Sequence, residues 1–249
     1  MIRSLDTIRR NLDILQVKQE NISTNAANSS TPGYKFQEVI QSTLNKSDLV
    51  NHMNGPRHGR RQELGGMELG NQVDEMFRHF EDGGLQQTGN PTNLALQGNG
   101  FFTVQTPQGV AYTRNGQFTT NAEGILTTQE GYPVLGQTAI GETVPVRAGS
   151  DFYVSQNGTV GGTGVKLLIS DALDVQELQS QGDTLFTGPA NQVMDDPILM
   201  QGYLESSNVE ISDLMIDMMQ VAREFEANQK VLHASDDTLR KATNDIGKL

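Results

Sequence analysis

Ile211-Ser212-Asp213-Leu214-Met215-Ile216-Asp217-Met218-Met219-Gln220-Val221-Ala222-Arg223-Glu224-Phe225 opens the stretch on which the reading of this chain turns. Followed onward, it carries Ile211, Met218, Phe225, Leu232, Leu239 and Ile246, each seven residues after the one before. Leu214, Val221 and Ala242 fill the intermediate positions of the repeat, and Asn228 and Ser235 interrupt them. Near the other end Leu5, Ile8, Leu12, Leu15, Ile22 and Ala26 advance in steps of three and four, with Gln19 as the polar exception. A seven-residue apolar repeat lays a stripe along one side of a helix, and that stripe must be buried against another helix. Two such helices at the ends of a chain with a strand-rich middle describe a building block rather than an enzyme.

Composition points the same way. A chain of 249 residues has room for a sizeable core, yet only 35% of its residues are hydrophobic and Trp is absent. So low an apolar fraction fits a molecule that buries little within itself and more against neighbours. With no Cys, disulfides and thiolate metal sites are excluded. The net charge of −12 argues against general binding to nucleic acid or to anionic membranes. Residues 1–46 carry a net +2 and residues 203–249 a net −4, so the two ends are mildly complementary. No run approaches the roughly 18–20 apolar residues that a membrane span requires. Asp6, Asp13 and Glu20 interrupt any signal-peptide core, which leaves a cytoplasmic protein or one exported without a cleaved signal.

Residues 2–28 read as an amphipathic helix that Thr31-Pro32-Gly33 breaks, since Pro lacks an amide donor and Gly takes positive φ readily. Residues 34–46 either resume as a short helix or extend, and periodicity is lost from about Ser47 to Gly70. From about Glu68 to Pro197 the signals are short strands and tight turns. Pro107-Gln108-Gly109 separates two apolar runs, and Asn115-Gly116 is the pair favoured by type I′ hairpins. Ser207, with Glu210 three residues on, reads as a helix cap before the long C-terminal helix. The expected fold class is α+β: long N- and C-terminal helices pairing as a coiled-coil-like domain, with an inserted antiparallel all-β domain. The expected division is a discontinuous helical domain of residues 1–46 and 203–249, a flexible or extended connector over 47–67, and a β-rich outer domain over 68–202.

Three segments resemble the flagellar rod and hook proteins of the bacterial basal body. Thr24-Asn25-Ala26-Ala27-Asn28-Ser29-Ser30-Thr31-Pro32-Gly33-Tyr34-Lys35 is similar to the family's N-terminal signature. Between Asn93 and Gly136, Leu96-Gln97-Gly98-Asn99-Gly100-Phe101-Phe102 and Tyr112-Thr113-Arg114-Asn115-Gly116 carry the central match. Gln201-Gly202-Tyr203-Leu204-Glu205-Ser206-Ser207-Asn208-Val209 and then Phe225-Glu226-Ala227-Asn228-Gln229-Lys230 carry the last. Thr24, Ala26, Asn93 and Asn121 depart from the residues usual in the family. The short middle resembles rod proteins more than the longer hook protein.

The resemblance implies a structural subunit, exported through the flagellar type III apparatus without a cleaved signal and assembled helically outside the cytoplasmic membrane into the torque-transmitting rod. Its implied partners are other copies of itself, other flagellar rod and hook proteins, and the export apparatus. Nucleic acid, a small-molecule substrate, a cofactor and membrane insertion are not expected. The expected assembly interface comprises Leu5, Ile8, Leu12, Leu15, Ile22, Asn25, Asn28, Ile211, Leu214, Met218, Val221, Phe225, Asn228, Leu232 and Leu239. Thr31, Pro32, Gly33 and Tyr34 are expected to redirect the chain out of the inner helix layer, a role that a plain helix stop would fill with the same residues. Asn25, Asn28 and Asn228 either set register across the helix interface, where a buried amide must be satisfied, or serve as caps and exposed positions.

Catalytic readings find little. His52, His58, His79 and His233 are scattered and show no metal-ligand spacing. Gly98-Asn99-Gly100 lacks the third Gly and following helix of a dinucleotide fingerprint, and Gly161-Gly162-Thr163-Gly164-Val165-Lys166 lacks the ending of a phosphate loop. Asp195-Asp196 reads as a solvated turn before Pro197. The basic cluster Arg57-His58-Gly59-Arg60-Arg61 reads as a solvated linker, with contact to peptidoglycan or to an acidic neighbour as the alternative. The competing classes are a stalked soluble binding or adaptor module with coiled-coil termini and a β head, and an enzyme acting on cell-wall glycan, which would need a pair of carboxylates in a cleft.

Overall fold

The computed structural model describes residues 2–44, 47–53, 60–67, 70–149, 152–172, 174–189, 192–194 and 197–246. The protein is α+β, with a helix at each end and antiparallel strands between them. It divides into two compact units, one of Met1–Thr24, Gln37–Phe77 and Ile211–Leu249, the other of Asn25–Phe36 and Arg78–Glu210.

The first unit holds α1 (Ile2–Ala27) as far as Thr24, β1 (Gln37–Thr43), β2 (Ser47–Met53), β3 (Arg60–Met67), β4 (Asn71–Arg78) as far as Phe77, and α2 (Ile211–Ile246). The segment after the helix break, open to either conformation on sequence, takes up strand β1 and pairs with β4. Within the connector β2 and β3 pair antiparallel from Ser47↔Met67 to Met53↔Arg60, with a shift in register between Leu49 and Val50. This pairing leaves no apolar alternation in the sequence, because ladder hydrogen bonds join backbones whatever the side chains. Asn54 to Gly59, with Arg57 and His58 of the basic cluster, lies outside the described residues, as does Asp195-Asp196.

Helix α2 has 36 residues, about 54 Å at 1.5 Å rise per residue. Its least exposed positions are Leu214 and Val221, which are buried, then Phe225, Asn228, Leu232, Ser235 and Leu239, which are half-buried. Burial follows the intermediate line of the repeat from Leu214 and its main line from Phe225. At its start the repeat and the burial part company, since Ile211 is 51% exposed and Met218 41%. On α1 Ile14, Leu15 and Ile22 are buried, whereas Leu5, Ile8 and Leu12 are half-buried. The expected Ser207 cap does not form: α2 begins at Ile211, and the Ser207 hydroxyl accepts from the Val209 N–H at 3.3 Å.

In the second unit the strands are β5 (Leu85–Gln87), β6 (Leu94–Gln97), β7 (Phe101–Thr106), β8 (Gly109–Thr113), β9 (Thr119–Thr120), β10 (Leu126–Thr127), β11 (Leu135–Gln137), β12 (Thr143–Pro145), β13 (Lys166–Leu167), β14 (Ile169–Asp171), β15 (Gln179–Ser180), β16 (Leu185–Thr187), β17 (Gln192–Val193), β18 (Ile198–Gln201) and β19 (Tyr203–Glu205). Its main sheet runs β15-β16-β8-β7-β14-β17, and β11 is flanked by β12 and β13. The returning chain pairs β18 with β6 and β19 with β5. Phe101-Phe102-Thr103-Val104 is apolar on both faces of its strand, and both faces are covered. Phe102 and Val104 join a core with Leu94, Leu96, Phe118 and Leu126, while Phe101 joins a second with Tyr112, Leu178 and Phe186. In the second core Phe80, Phe101 and Phe186 meet edge to face at 5.4–5.8 Å, the geometry that ring quadrupoles favour.

The tight hairpin of this unit is Pro107-Gln108, between Thr106 and Gly109 of β7 and β8. Asn115-Gly116, expected as a type I′ turn, joins no paired strands; Asn115 Oδ1 accepts from the Gln117 N–H at 3.0 Å and Leu94 N–H donates to Gly116 O at 3.0 Å. Gly116 is required for space, since a Cβ there would sit 1.5 Å from the Leu94 carbonyl oxygen. Gly116→Ala is therefore expected to lower the stability of this unit by about 1–3 kcal/mol in urea denaturation. Gly149→Ala, where nothing lies within 4 Å of the added Cβ, is expected to stay within about 0.5 kcal/mol of the parent.

Candidate functional site: a buried ionic junction

The chain leaves α1 through a turn closed by the Thr31 N–H on Asn28 O at 3.1 Å and the Thr31 hydroxyl on Asn28 Oδ1 at 3.0 Å. Gly33 follows at φ +69°, and a Cβ there would lie 2.4 Å from the backbone of Arg114 and Asn115. Tyr34 is buried, and its hydroxyl donates to Oδ1 of the fully buried Asn25 at 2.9 Å. Asn25 is thus enclosed within the chain, and Asn28 sits half-buried at the end of the helix. Burial pushes the Tyr34 phenol up, against the pull of the nearby Arg78.

Next to this turn three charges are shut away from water: Lys35 and Glu205 are each 1% exposed and Arg114 is 4% exposed. Lys35 Nζ reaches Glu205 Oε1 at 2.6 Å and donates to the Glu81 carbonyl at 2.6 Å. Gly83 N–H donates to the same carboxylate oxygen at 3.1 Å. Arg114 lies 3.4 Å from Glu205 Oε2 and 3.5 Å from Asp82, and donates to the Gly98 carbonyl at 2.7 Å. Its guanidinium stands 5.3 Å over the Phe101 ring. Burial holds the Lys35 ammonium below the ordinary lysine value, and the Glu205 carboxylate opposes that shift without cancelling it. Because the folded chain binds this proton less tightly than the unfolded one, the Lys35 contribution to stability rises as pH climbs from the lowered value toward the ordinary 10.5.

Backbone contacts extend the junction. Gly33 N–H donates to Glu205 O at 2.8 Å, and Ser206 N–H to Gly84 O at 2.8 Å. A Cβ on Gly83 would fall 1.8 Å from Ser206 O. Asn208 ties the segment down, accepting from Phe36 N–H at 2.6 Å and donating to His79 O at 2.9 Å. Lys35, Arg114, Glu205 and Asn208 lie one or more in each of the three motifs, yet none stood out as a site on sequence. The only signal was charge of both signs inside otherwise apolar and glycine-rich motifs. The charges at the junction pair with one another, only Arg114 Nε being left without a hydrogen-bond partner, which suits positioning of the chain rather than proton transfer. His79 stacks at 5.5 Å on Phe36, His233 is exposed, and the described residues hold no group of three or more metal-ligating side chains.

A helix-ended β protein whose three motifs meet in a closed junction, with no cluster of metal-ligating groups among the described residues, has the make-up of a structural component. Residues 95–162 match the family described as flagellar hook protein FlgE/F/G D1 domain, and residues 200–245 match flagellar basal body rod FlgEFG protein C-terminal. The flagellar basal-body rod protein FlgF of Caulobacter vibrioides is 33% identical across 98% of this chain and 94% of its own. FlgG, a flagellar basal-body rod protein of Buchnera aphidicola subsp. Schizaphis graminum, is 30% identical across 97% of this chain and 98% of its own. The flagellar hook-basal body complex protein FlhO of Bacillus subtilis is 31% identical over the whole of both. The chain belongs to the flagellar basal-body rod protein family.

The junction predicts an asymmetry between single and paired substitutions. Lys35→Met strands the Glu205 carboxylate beside Arg114 alone and is expected to cost about 3–5 kcal/mol in urea denaturation. Adding Glu205→Gln removes the stranded charge, leaves Arg114 beside Asp82 as its counter-charge, and keeps one amide oxygen in place of the two carboxylate oxygens. The double variant is expected to recover more than half of that loss.

Proposed function

We propose that this chain is a structural subunit of the bacterial flagellar basal-body rod that assembles helically through its terminal helices. The observation that carries the reading is the apolar face left open at the start of α2. Ile211, Met215, Ile216, Met218 and Met219 are 41–61% exposed on successive turns, in a chain whose relatives are rod proteins over nearly their full length. Leu5, Ile8 and Leu12 of α1 are half-open in the same way.

Covering such side chains is worth roughly 1.5–3 kcal/mol each when complete, so a few turns of helix suffice to drive association. The contact is heterologous: each subunit offers one face and accepts another, and a rotation that does not close builds a tube. In this reading α1 and α2 pair as a coiled coil, and the seam Leu15, Ile22, Leu214, Val221, Phe225, Asn228, Leu232 and Leu239 is shared within and between subunits. Residues 1–46 and 203–249 form the rod core, residues 47–67 the connector, and 68–202 the outer domain. Methionine at 215, 218 and 219 lets the face repack against non-identical neighbours. The subunit passes through the flagellar export apparatus without a cleaved signal and works outside the cytoplasmic membrane, its partners being its own copies and other rod and hook proteins. Among the described residues no helix is long and apolar enough to cross a membrane. The reading as a stalked binding module finds no support among the relatives.

Purified hook–basal bodies, blotted for this chain, are expected to retain it in fixed ratio to the other rod components. Ile211→Glu with Met218→Glu alters residues already exposed, so the free protein is expected to keep its stability within about 0.5 kcal/mol. The same pair is expected to remove the chain from basal bodies and abolish swimming. Normal incorporation of the double variant would overturn assembly through this face.

A further inference from the structure

The hairpin joining β11 to β12 ends in Ile140, which is 90% exposed. Its tip is stiff: Thr138 N–H donates to Glu142 O at 2.9 Å, Gly141 N–H to Thr138 O at 2.8 Å, and Gln137 Nε2 to Gly141 O at 3.3 Å. On the same unit an apolar hollow of about 340 Å³ is lined by Ile125, Val144, Pro145, Arg147, Thr163 and Val165. A lone exposed apolar side chain is ordinary. Here it is matched by an apolar hollow and by charge, since Glu142 stands two residues from the tip and Arg147 on the rim. Both are exposed, and neither has an ion-pair partner among the described residues.

We infer that Ile140 of one copy seats in this hollow of the next copy, with Glu142 against Arg147. The tip is not seated in the hollow of its own chain, since Ile140 is 90% exposed at the end of the β11–β12 ladder. Knob and hollow are different surfaces of one unit, so the contact is heterologous and propagates from copy to copy. This contact rests on the reading of the chain as a self-assembling rod subunit and adds to the helix contacts a second one between β units.

The absence of Cys makes the test direct. Ile140→Cys with Thr163→Cys, both at exposed positions, is built into hook–basal bodies, oxidised mildly and run on a denaturing gel with and without reductant. A ladder of dimers and higher species that collapses under reductant, with monomer alone from each single variant, is the expected result. Glu142→Arg in that background is expected to remove the ladder, and Arg147→Glu added to it to restore the ladder. Monomer alone from the double cysteine variant, or dimer from Ile140→Cys by itself, overturns the contact while leaving the rod reading intact. Absence of the chain from the reduced lane overturns both.

Discussion

A carboxylate cut off from water must find its counter-charges inside the fold, and Glu205 finds Lys35 at a separation of 170 residues and Arg114 at 91. Once that carboxylate is buried, the two cations have to be there, and so does the Gly83 N–H that donates to it, while the Gly33 N–H holds the Glu205 main-chain carbonyl. An unpaired buried charge costs several kcal/mol, so alternatives in which any of these strands docks elsewhere are strongly disfavoured. The net gain over an apolar replacement is small by the same physics. What the junction supplies is a single arrangement of the chain where it leaves one helix and later returns to another.

The rest of the second unit is arranged to make that junction dry. Phe101 stacks under the Arg114 guanidinium and at the same time packs edge to face with Phe80 and Phe186. Its neighbour Phe102 points to the other core, where it meets Phe118 at 5.2 Å. One strand therefore ties two cores and an ionic centre together. The glycines around it answer to space as much as to backbone angle: at Gly33, Gly83 and Gly116 another backbone occupies the place of a Cβ.

The helices follow a different logic. Their repeat is longer and wider than the surface the chain itself covers, so apolar side chains remain open at the start of α2 and along α1. A monomer that left such a face permanently in water would gain nothing from the repeat. In the proposed rod assembly neighbours would cover this face, and methionine would let it repack against unlike neighbours.

The amino-acid sequence by itself determined the two helices, the strand-rich middle and the family. Heptad spacing, the Thr31-Pro32-Gly33 break and alternating apolar runs are local, and each is written in consecutive residues. It misled where local preference yields to packing: Asn115-Gly116 has the composition of a hairpin turn but is shaped by the Leu94 carbonyl, and Ser207 has the composition of a helix cap but bonds Val209. The strands of the connector were invisible because their pairing relies on backbone groups that every residue carries. Only the tertiary structure decided that Lys35, Arg114 and Glu205 are one cluster, and which part of each apolar stripe stays open. Charge pairing and burial depend on distance in space, and residues 170 apart in the chain carry no record of that distance in their order.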